Sequence, residues 1–374
     1  MDKTHNIVQN QSQNKIEELE SLRGIAAFLI VMFHIPKWNI IIDINLIKNG
    51  YLMVQLFFVL SGFVIYNAYS TKIKTKKELL TFQFLRLGRL YPVHLTFLVI
   101  FILIEISKYY AETHLGIKSP NSQPFHENNL VALIQNIFLI QAIGPTGNTN
   151  SFNIPAWSIS VEFYTYFVFA LIIYYFEKIK NLVFIFIFLG AIILIITNNT
   201  YGFESLLQCY SGFFLGCTVA NIKLEINVKF NRYLSLIAFI GVVFFLVFKT
   251  DSIYDPYIFL LSAILILTIT VNKVGYLNKI MKLRFLSWLG TISFSMYMSH
   301  YFIIWIMNQF MRVILKKREI VIHGISIPQL GIIETLISIV LIISIVLIVS
   351  KVVYEYIEKP LRLRSREFVF SKRF

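Results

Sequence analysis

Ten predominantly apolar stretches of 15 to 24 residues, at 22–40, 51–70, 91–108, 157–176, 182–197, 204–221, 232–248, 257–271, 288–311 and 331–353, follow one another along the chain. About 20 apolar residues cross the hydrocarbon core of a bilayer as a helix, and backbone in lipid must satisfy its own hydrogen bonds, so such a chain has to fold as a helix bundle. The expected fold is an all-α polytopic integral membrane protein of about ten transmembrane helices. Composition agrees: 57% of the residues are hydrophobic and only 14% charged, too few polar groups to cover a soluble fold of this size. Leu130–Ile143 is also apolar, but it is short and interrupted by Gln135, Asn136 and Gln141. It reads as an interfacial or re-entrant helix, not an eleventh crossing.

Orientation follows from the basic residues. Of the 34, 25 fall on the side holding the N-terminus, the loop after the second stretch and the C-terminus, and 9 on the other. The richer side is expected to be cytoplasmic, which places both termini inside and the segments 109–156 and 312–330 outside. The expected division is a cytoplasmic N-terminal segment 1–21, a transmembrane domain 22–364 and a cytoplasmic tail 365–374. Met1–Glu20 is polar and lacks the pattern of a cleavable leader, so the first stretch is expected to be retained. The net charge of +14 lies mostly between apolar runs and points to membrane lipid headgroups, with no domain suited to nucleic acid. Cys209 and Cys217 would lie about 12 Å apart on one helix, too far for a mutual disulfide.

Several residues are costly in a membrane and so invite a functional reading. Arg23 and His34 stand eleven residues apart, about 20° from a whole number of helical turns, hence on one face and about 16 Å apart along the axis. Arg23 suits either a headgroup anchor or an anion site, and His34 either a packed polar residue or a base. Glu162, in WSISVE, suits an acid, a base or a histidine orienter, or a carboxylate favoured by a helix N-terminus. Arg86 and Arg89 share a helix face and can grip one phosphate together, or can serve topology alone. Ser61, beside Gly62, brings a hydroxyl into the bundle at a close helix approach. His300 is either a second site residue or an interhelical donor. No glycine-rich phosphate loop, paired-histidine metal helix or G-x-S-x-G elbow occurs, and His94, His114, His126 and His323 suggest no metal site.

Taken together, Arg-x10-His at 23–34, the glycine-to-FFVLSGF segment at 50–63, R-x-x-R-x-Y-P at 86–92, WSISVE at 157–162, GTISFSMYMSH at 290–300 and YIEKP at 356–360 resemble the acyltransferase 3 family of membrane O-acyltransferases. The resemblance runs from Leu22 to Arg364. One departure is Gln55, where the family commonly has Asp before the FF pair; this leaves Glu162 as the stronger carboxylate candidate. The resemblance implies transfer of an acyl group, most often acetyl, from a cytoplasmic acyl-CoA to a hydroxyl of a cell-envelope or extracellular glycan, lipopolysaccharide and lipid-linked sugars included, at the bacterial cytoplasmic (inner) membrane. Acetyl-CoA is the implied donor, with no metal; some family members fuse a soluble esterase-like domain at the C-terminus, and this chain, ending about ten residues after Arg364, is expected to act without one in cis. His34, Glu162 and Arg23 would be catalytic, Arg86, Arg89 and Tyr91 would bind the donor, and Ser61, Trp157, Ser158 and His300 would line the acceptor path. Acylation of a small-molecule or antibiotic acceptor is an alternative. A proton-coupled transporter or flippase is the alternative from another class, because buried His, Arg and Glu also line transport pathways.

Overall fold

A computed structural model describes residues 16–225, 231–272, 274–322 and 324–371. The long helices are α1 (Glu17–His34), α2 (Met53–Tyr69) and α3 (Lys76–His114). A short helix, α4 (Leu130–Ile137), precedes α5 (Trp157–Tyr175), α6 (Lys180–Ile196), α7 (Glu204–Glu225), α8 (Leu234–Phe248) and α9 (Tyr257–Val271). The chain continues through α10 (Arg284–Gln309), α11 (Ile332–Val353) and α12 (Lys359–Ser371). Each of the ten apolar stretches overlaps one of these helices, with 22–40 running past the end of α1. Among the described residues, five helical segments are long and apolar enough to cross a membrane: Asn45–Tyr69, Lys76–His114, Ile154–Tyr175, Ser252–Val271 and Ile332–Val369; Lys180–Ile196 and Leu234–Phe248 are apolar but shorter. Large apolar side chains such as Phe186, Ile193, Ile237 and Phe244 are exposed along α6 and α8, as lipid-facing helices require. The protein is a helical membrane protein.

The boundaries depart from the sequence reading in four informative places. α1 stops at His34, six residues short of the expected end, because Ile35 precedes Pro36 and turns to extended backbone. His34 therefore sits at a helix C-terminus and not within a span. α3 starts at Lys76, where Thr75 and Glu78 form a capping box, so Arg86 and Arg89 stand on a helix that runs directly into the third apolar stretch. After α11 a π-turn, Tyr354–Glu358, carries the helix into α12, with Pro360 tolerated in its first turn. Residues 17–21 and 365–371 of the expected terminal segments are thus helical; 1–15 and 372–374, and His323, lie outside the described residues. The expectation of an all-α chain also meets a small antiparallel hairpin, β1 (Glu319–Ile322) with β2 (Ile325–Pro328), turning through Gly324 at φ +79.

Because lipid tails solvate apolar side chains as well as a neighbouring helix does, association in a membrane rests on close packing. Two crossings show it. A Cβ on Gly62 of α2 would overlap the Phe213 carbonyl of α7, and one on Gly216 of α7 would overlap the Val59 carbonyl of α2. Likewise Gly290 of α10 lies against the Glu20 carbonyl of α1. These contacts pin α2 to α7 and α1 to α10. Fully buried rings of Phe169, Phe184, Phe213 and Phe214 fill the space beside the first crossing.

The polar ends of the bundle differ. At one end Lys282 pairs with Glu18 at 3.3 Å, Ser21 donates to the Met281 carbonyl and Lys180 donates to the Ser70 carbonyl at 2.7 Å. At the other, Trp38 donates to Asn308, Asn39 to the Leu330 carbonyl, and Asn121 to the Ser326 carbonyl of the hairpin. There Lys37 and Lys48, 2.8 and 2.9 Å from Asp43, hold its carboxylate below the usual range.

Candidate functional site

Where α1, α2, α3, α5 and α10 converge they enclose a cavity of about 60 Å³. Its polar wall is Arg23 from α1, Ser61 from α2, Arg89 from α3, Ser158, Glu162 and Tyr166 from α5, and Ser293 and Tyr297 from α10. Phe57, Phe58 and Phe294 supply much of the rest. One water needs about 10–15 Å³ by this measure, so the space admits a few waters or a group of acetyl size, and nothing as large as a nucleotide.

Glu162 is the one carboxylate among the described lining residues. Ser61 Oγ donates to its Oε1 at 2.5 Å, and the Tyr166 hydroxyl donates to the same oxygen. Tyr166 lies one turn beyond Glu162 and so shares its face of α5, while the close approach at Gly62 brings Ser61 alongside. Arg89 lies in the field of Glu162, Glu358 and Glu20, and Arg23 Nη1 is 3.8 Å from Glu20. Toward the opposite end the Ser158 and Tyr297 hydroxyls lie 2.8 Å apart, and Tyr297 donates to the Pro155 carbonyl at 2.7 Å.

Tyr297 leads to the histidines, since its ring centroid is 5.9 Å from that of His300, one turn along α10. The His300 and His34 rings meet edge to face at 4.7 Å, with Phe33 and Tyr301 around His34 at 4.9 and 6.0 Å. Each imidazole has its Nδ1 against a carbonyl one turn back: His34 against Ile30 at 2.9 Å, His300 against Met296 at 3.2 Å. A carbonyl only accepts, so Nδ1–H is the donor in both rings and each Nε2 carries a lone pair. His300 Nε2 is buried without a partner among the described residues. Its ring is fully buried, whereas His34 is part-exposed.

The structure thus brings Arg23, Arg89, Ser61, Ser158 and Glu162 to one cavity and pairs His34 with His300 beyond it. The partners of the Glu162 carboxylate are Ser61 and Tyr166, and those of His34 are its own helix and His300, so Glu162 does not orient His34. Arg86 points away from the cavity: its guanidinium lies over the rings of Tyr69, Phe82 and Tyr166 at 5.2, 5.4 and 5.9 Å, and Nη2 donates to the Tyr69 hydroxyl at 3.0 Å. Tyr91 donates to the Ile137 carbonyl at 3.1 Å, fixing α4 to α3. Trp157 packs edge-on against Phe58 at 6.0 Å and does not line the cavity. Three side chains of this region carry no role in the sequence reading. Tyr166 and Tyr297 are recoverable as the residues one turn from Glu162 and His300. Glu358, the acid of YIEKP, is buried, accepts from Ser295 at 2.7 Å and faces Arg362 at 3.7 Å.

Comparisons with known proteins agree with this architecture. The acyltransferase 3 family model, described as an acyltransferase domain, matches residues 16–353. The chain is 24% identical to the peptidoglycan O-acetyltransferase OatA of Listeria monocytogenes over 78% of its own length and 50% of that protein's. It is 28% identical to the O-acetyltransferase OatA of Staphylococcus aureus over 94% of its own length and 58% of that protein's. The acyltransferase MdmB of Streptomyces mycarofaciens is 30% identical over 42% of this chain and 39% of that protein. The chain thus spans little more than half the length of the OatA relatives it matches. No solved structure matches. With the family model covering α1 through α11 without interruption, the chain belongs to the acyltransferase 3 family.

Proposed function

We propose that the protein is a bacterial inner-membrane O-acyltransferase that moves an acetyl group from cytoplasmic acetyl-CoA to a hydroxyl of a cell-wall glycan on the outer face. Residues 22–364 form the transmembrane unit, crossing ten times with both termini inside. The acceptor class is taken from the relatives, of which the Listeria protein is named for peptidoglycan. The observation that carries the reading is the alignment of groups through the bundle. Arg23 and Arg89 mark one end of a polar-walled cavity, and Tyr297 at its other end abuts His300, which in turn meets His34. From Arg23 to His34 the rise along α1 is about 16 Å, the scale of an extended pantetheine arm. A donor whose phosphates stay at the arginine end would present its thioester to His34 once the helices part to widen the cavity, which at about 60 Å³ holds no more than the acetyl end of the arm. Arg23 then serves the donor's anionic end and lies too far from His34 to hold the oxyanion as well.

His34 Nε2 removes the proton of the acceptor hydroxyl as the oxygen attacks the thioester carbonyl carbon. The tetrahedral adduct collapses with cleavage of the C–S bond, and the imidazolium returns the proton to the leaving thiolate. The transient cation sits at the C-terminus of α1, where the helix dipole is negative, with His300 Nε2 beside it. Glu162, held by Ser61 and Tyr166, balances the arginines and shapes the narrow part of the path. His34→Gln keeps size and hydrogen bonding while removing basicity. In purified protein supplied with acetyl-CoA and a glycan acceptor, thiol release should fall by about 10²–10⁴-fold at unchanged abundance. Activity within about threefold of wild type would overturn His34 as the base, because general-base catalysis contributes far more than that. Thiol release that depends on the acceptor also separates this reading from a transporter.

A further inference from the structure

The last helix, α12, carries Arg362, Arg364 and Arg366, which from sequence alone are the basic tail after a final span. In the fold α12 lies against α3 with Ser365 seated on Gly88, so that a side chain at position 88 would collide with Ser365 Cβ and Oγ. The rings of Phe84 and Phe368, 5.6 Å apart, fix the same alignment a turn away. Arg86 and Arg89 flank Gly88, and Arg362 and Arg366 flank Ser365, so the crossing gathers four guanidinium groups from two helices. Arg366 lies within electrostatic range of the other three. The acids facing them are Glu358, 3.7 Å from Arg362 and already accepting from Ser295, and on the Arg89 side Glu162 and Glu20. The Nε atoms of Arg86, Arg89 and Arg362 are buried with no hydrogen-bond partner among the described residues, and the Arg86 side chain is more than nine-tenths buried. Gathered like charges with unsatisfied donors are unfavourable unless an anion joins them, and the planar fork of Arg suits phosphate oxygens.

We infer that the α3–α12 crossing binds phosphate groups, and that in function these are the phosphates of the nucleotide part of the acyl donor, with Arg362 and Arg366 completing the site begun by Arg86 and Arg89. This rests on the proposed donor. Arg89 belongs to both the crossing and the cavity wall, so phosphates held here leave the attached arm pointing toward Glu162, Tyr297 and the histidines.

The test is calorimetric titration of the purified full chain in detergent with coenzyme A and with pantetheine, which lacks the phosphates. The variants are Arg366→Gln, Arg366→Lys and the double change Arg362→Gln with Arg366→Gln, with Arg364→Gln as control because Arg364 is exposed on the same helix. The double variant should lose more than about tenfold in affinity for coenzyme A, as expected for lost charge-assisted contacts. Arg366→Lys should fall between wild type and Arg366→Gln. Pantetheine binding should not change, and Arg364→Gln should stay within about twofold, the range of an exposed charge. Equal affinities for the double variant and Arg364→Gln would overturn the inference, as would a parallel loss of pantetheine binding, which would report damage to the fold. Repeating the titration in phosphatidylglycerol nanodiscs separates the two sources of phosphate. Loss of coenzyme A binding there, with wild-type and double-variant proteins alike, would assign the site to lipid headgroups and overturn the nucleotide assignment. Wild-type protein that binds no coenzyme A even in detergent would sink the donor reading itself, whereas binding that ignores α12 sinks only the role of this helix.

Discussion

His34 and His300 each give one nitrogen to a backbone carbonyl on their own helix, and that leaves two Nε2 lone pairs in one small space. Two such groups hold one proton more readily than two, since a second cation beside the first is repelled. They should therefore act as a unit. We expect His300→Phe, which keeps the ring and removes the nitrogen, to cost about tenfold in transfer, and the His34→Gln/His300→Phe double change to be no worse than His34→Gln alone, the non-additivity of coupled residues. Multiplicative losses in that double-mutant cycle would show that His300 acts elsewhere. The face shared by Arg23 and His34 was legible in the sequence because helical periodicity alone sets it. Tyr166 and Tyr297 were not, since hydroxyls among 20 tyrosines of an aromatic-rich chain give no contrast until their neighbours are known. The direction of Arg86 was equally hidden: a three-residue spacing puts Arg86 and Arg89 on one face, but aromatic rings from α2 and α5 draw Arg86 away.

At the scale of elements, glycine decides which helices touch. Gly216 and Gly241 sit in apolar helices and look alike in sequence, yet Gly216 lies against the Val59 carbonyl whereas nothing stands within 4 Å of a Cβ built on Gly241. Gly216→Ala should lower thermal stability in detergent, with overpacking costing about 1–3 kcal/mol, while Gly241→Ala should raise it by up to about 1 kcal/mol through helix propensity. Shifts of the same sign would mean that α2 and α7 are not packed at this crossing. The long helices were legible because each must carry enough apolar residues to reach across lipid. The hairpin and α12 were not, for a common reason: parsing by apolar length treats whatever lies between spans as loop. EIVI and ISIP are too short to register, and α12 is too polar, although its helical register is inherited through the π-turn from α11.

Across the whole molecule, the two ends of the bundle are chemically unlike, and this makes the orientation testable. Arg86, Arg89, Arg362 and Arg366 gather at the end that holds the start of α1, while His34, Asp43 and the hairpin lie at the other. If the basic end faces the cytoplasm, one crossing separates Lys76 from Lys118, none separates Lys118 from Asn150, and eight separate Lys76 from Arg364. All four positions are exposed. Cys209 and Cys217 are fully buried, so the native thiols give little background. In intact cells a membrane-impermeant maleimide should label Lys118→Cys and Asn150→Cys, and should label Lys76→Cys and Arg364→Cys only after permeabilisation. The pairs test separate steps. Opposite behaviour of Lys118→Cys and Asn150→Cys would make Leu130–Ile143 a crossing, and opposite behaviour of Lys76→Cys and Arg364→Cys would require an odd number of spans between them. Reversal of all four would leave the bundle intact but turn the arginine crossing outward, away from any cytoplasmic nucleotide, and the donor path proposed here would fall with it.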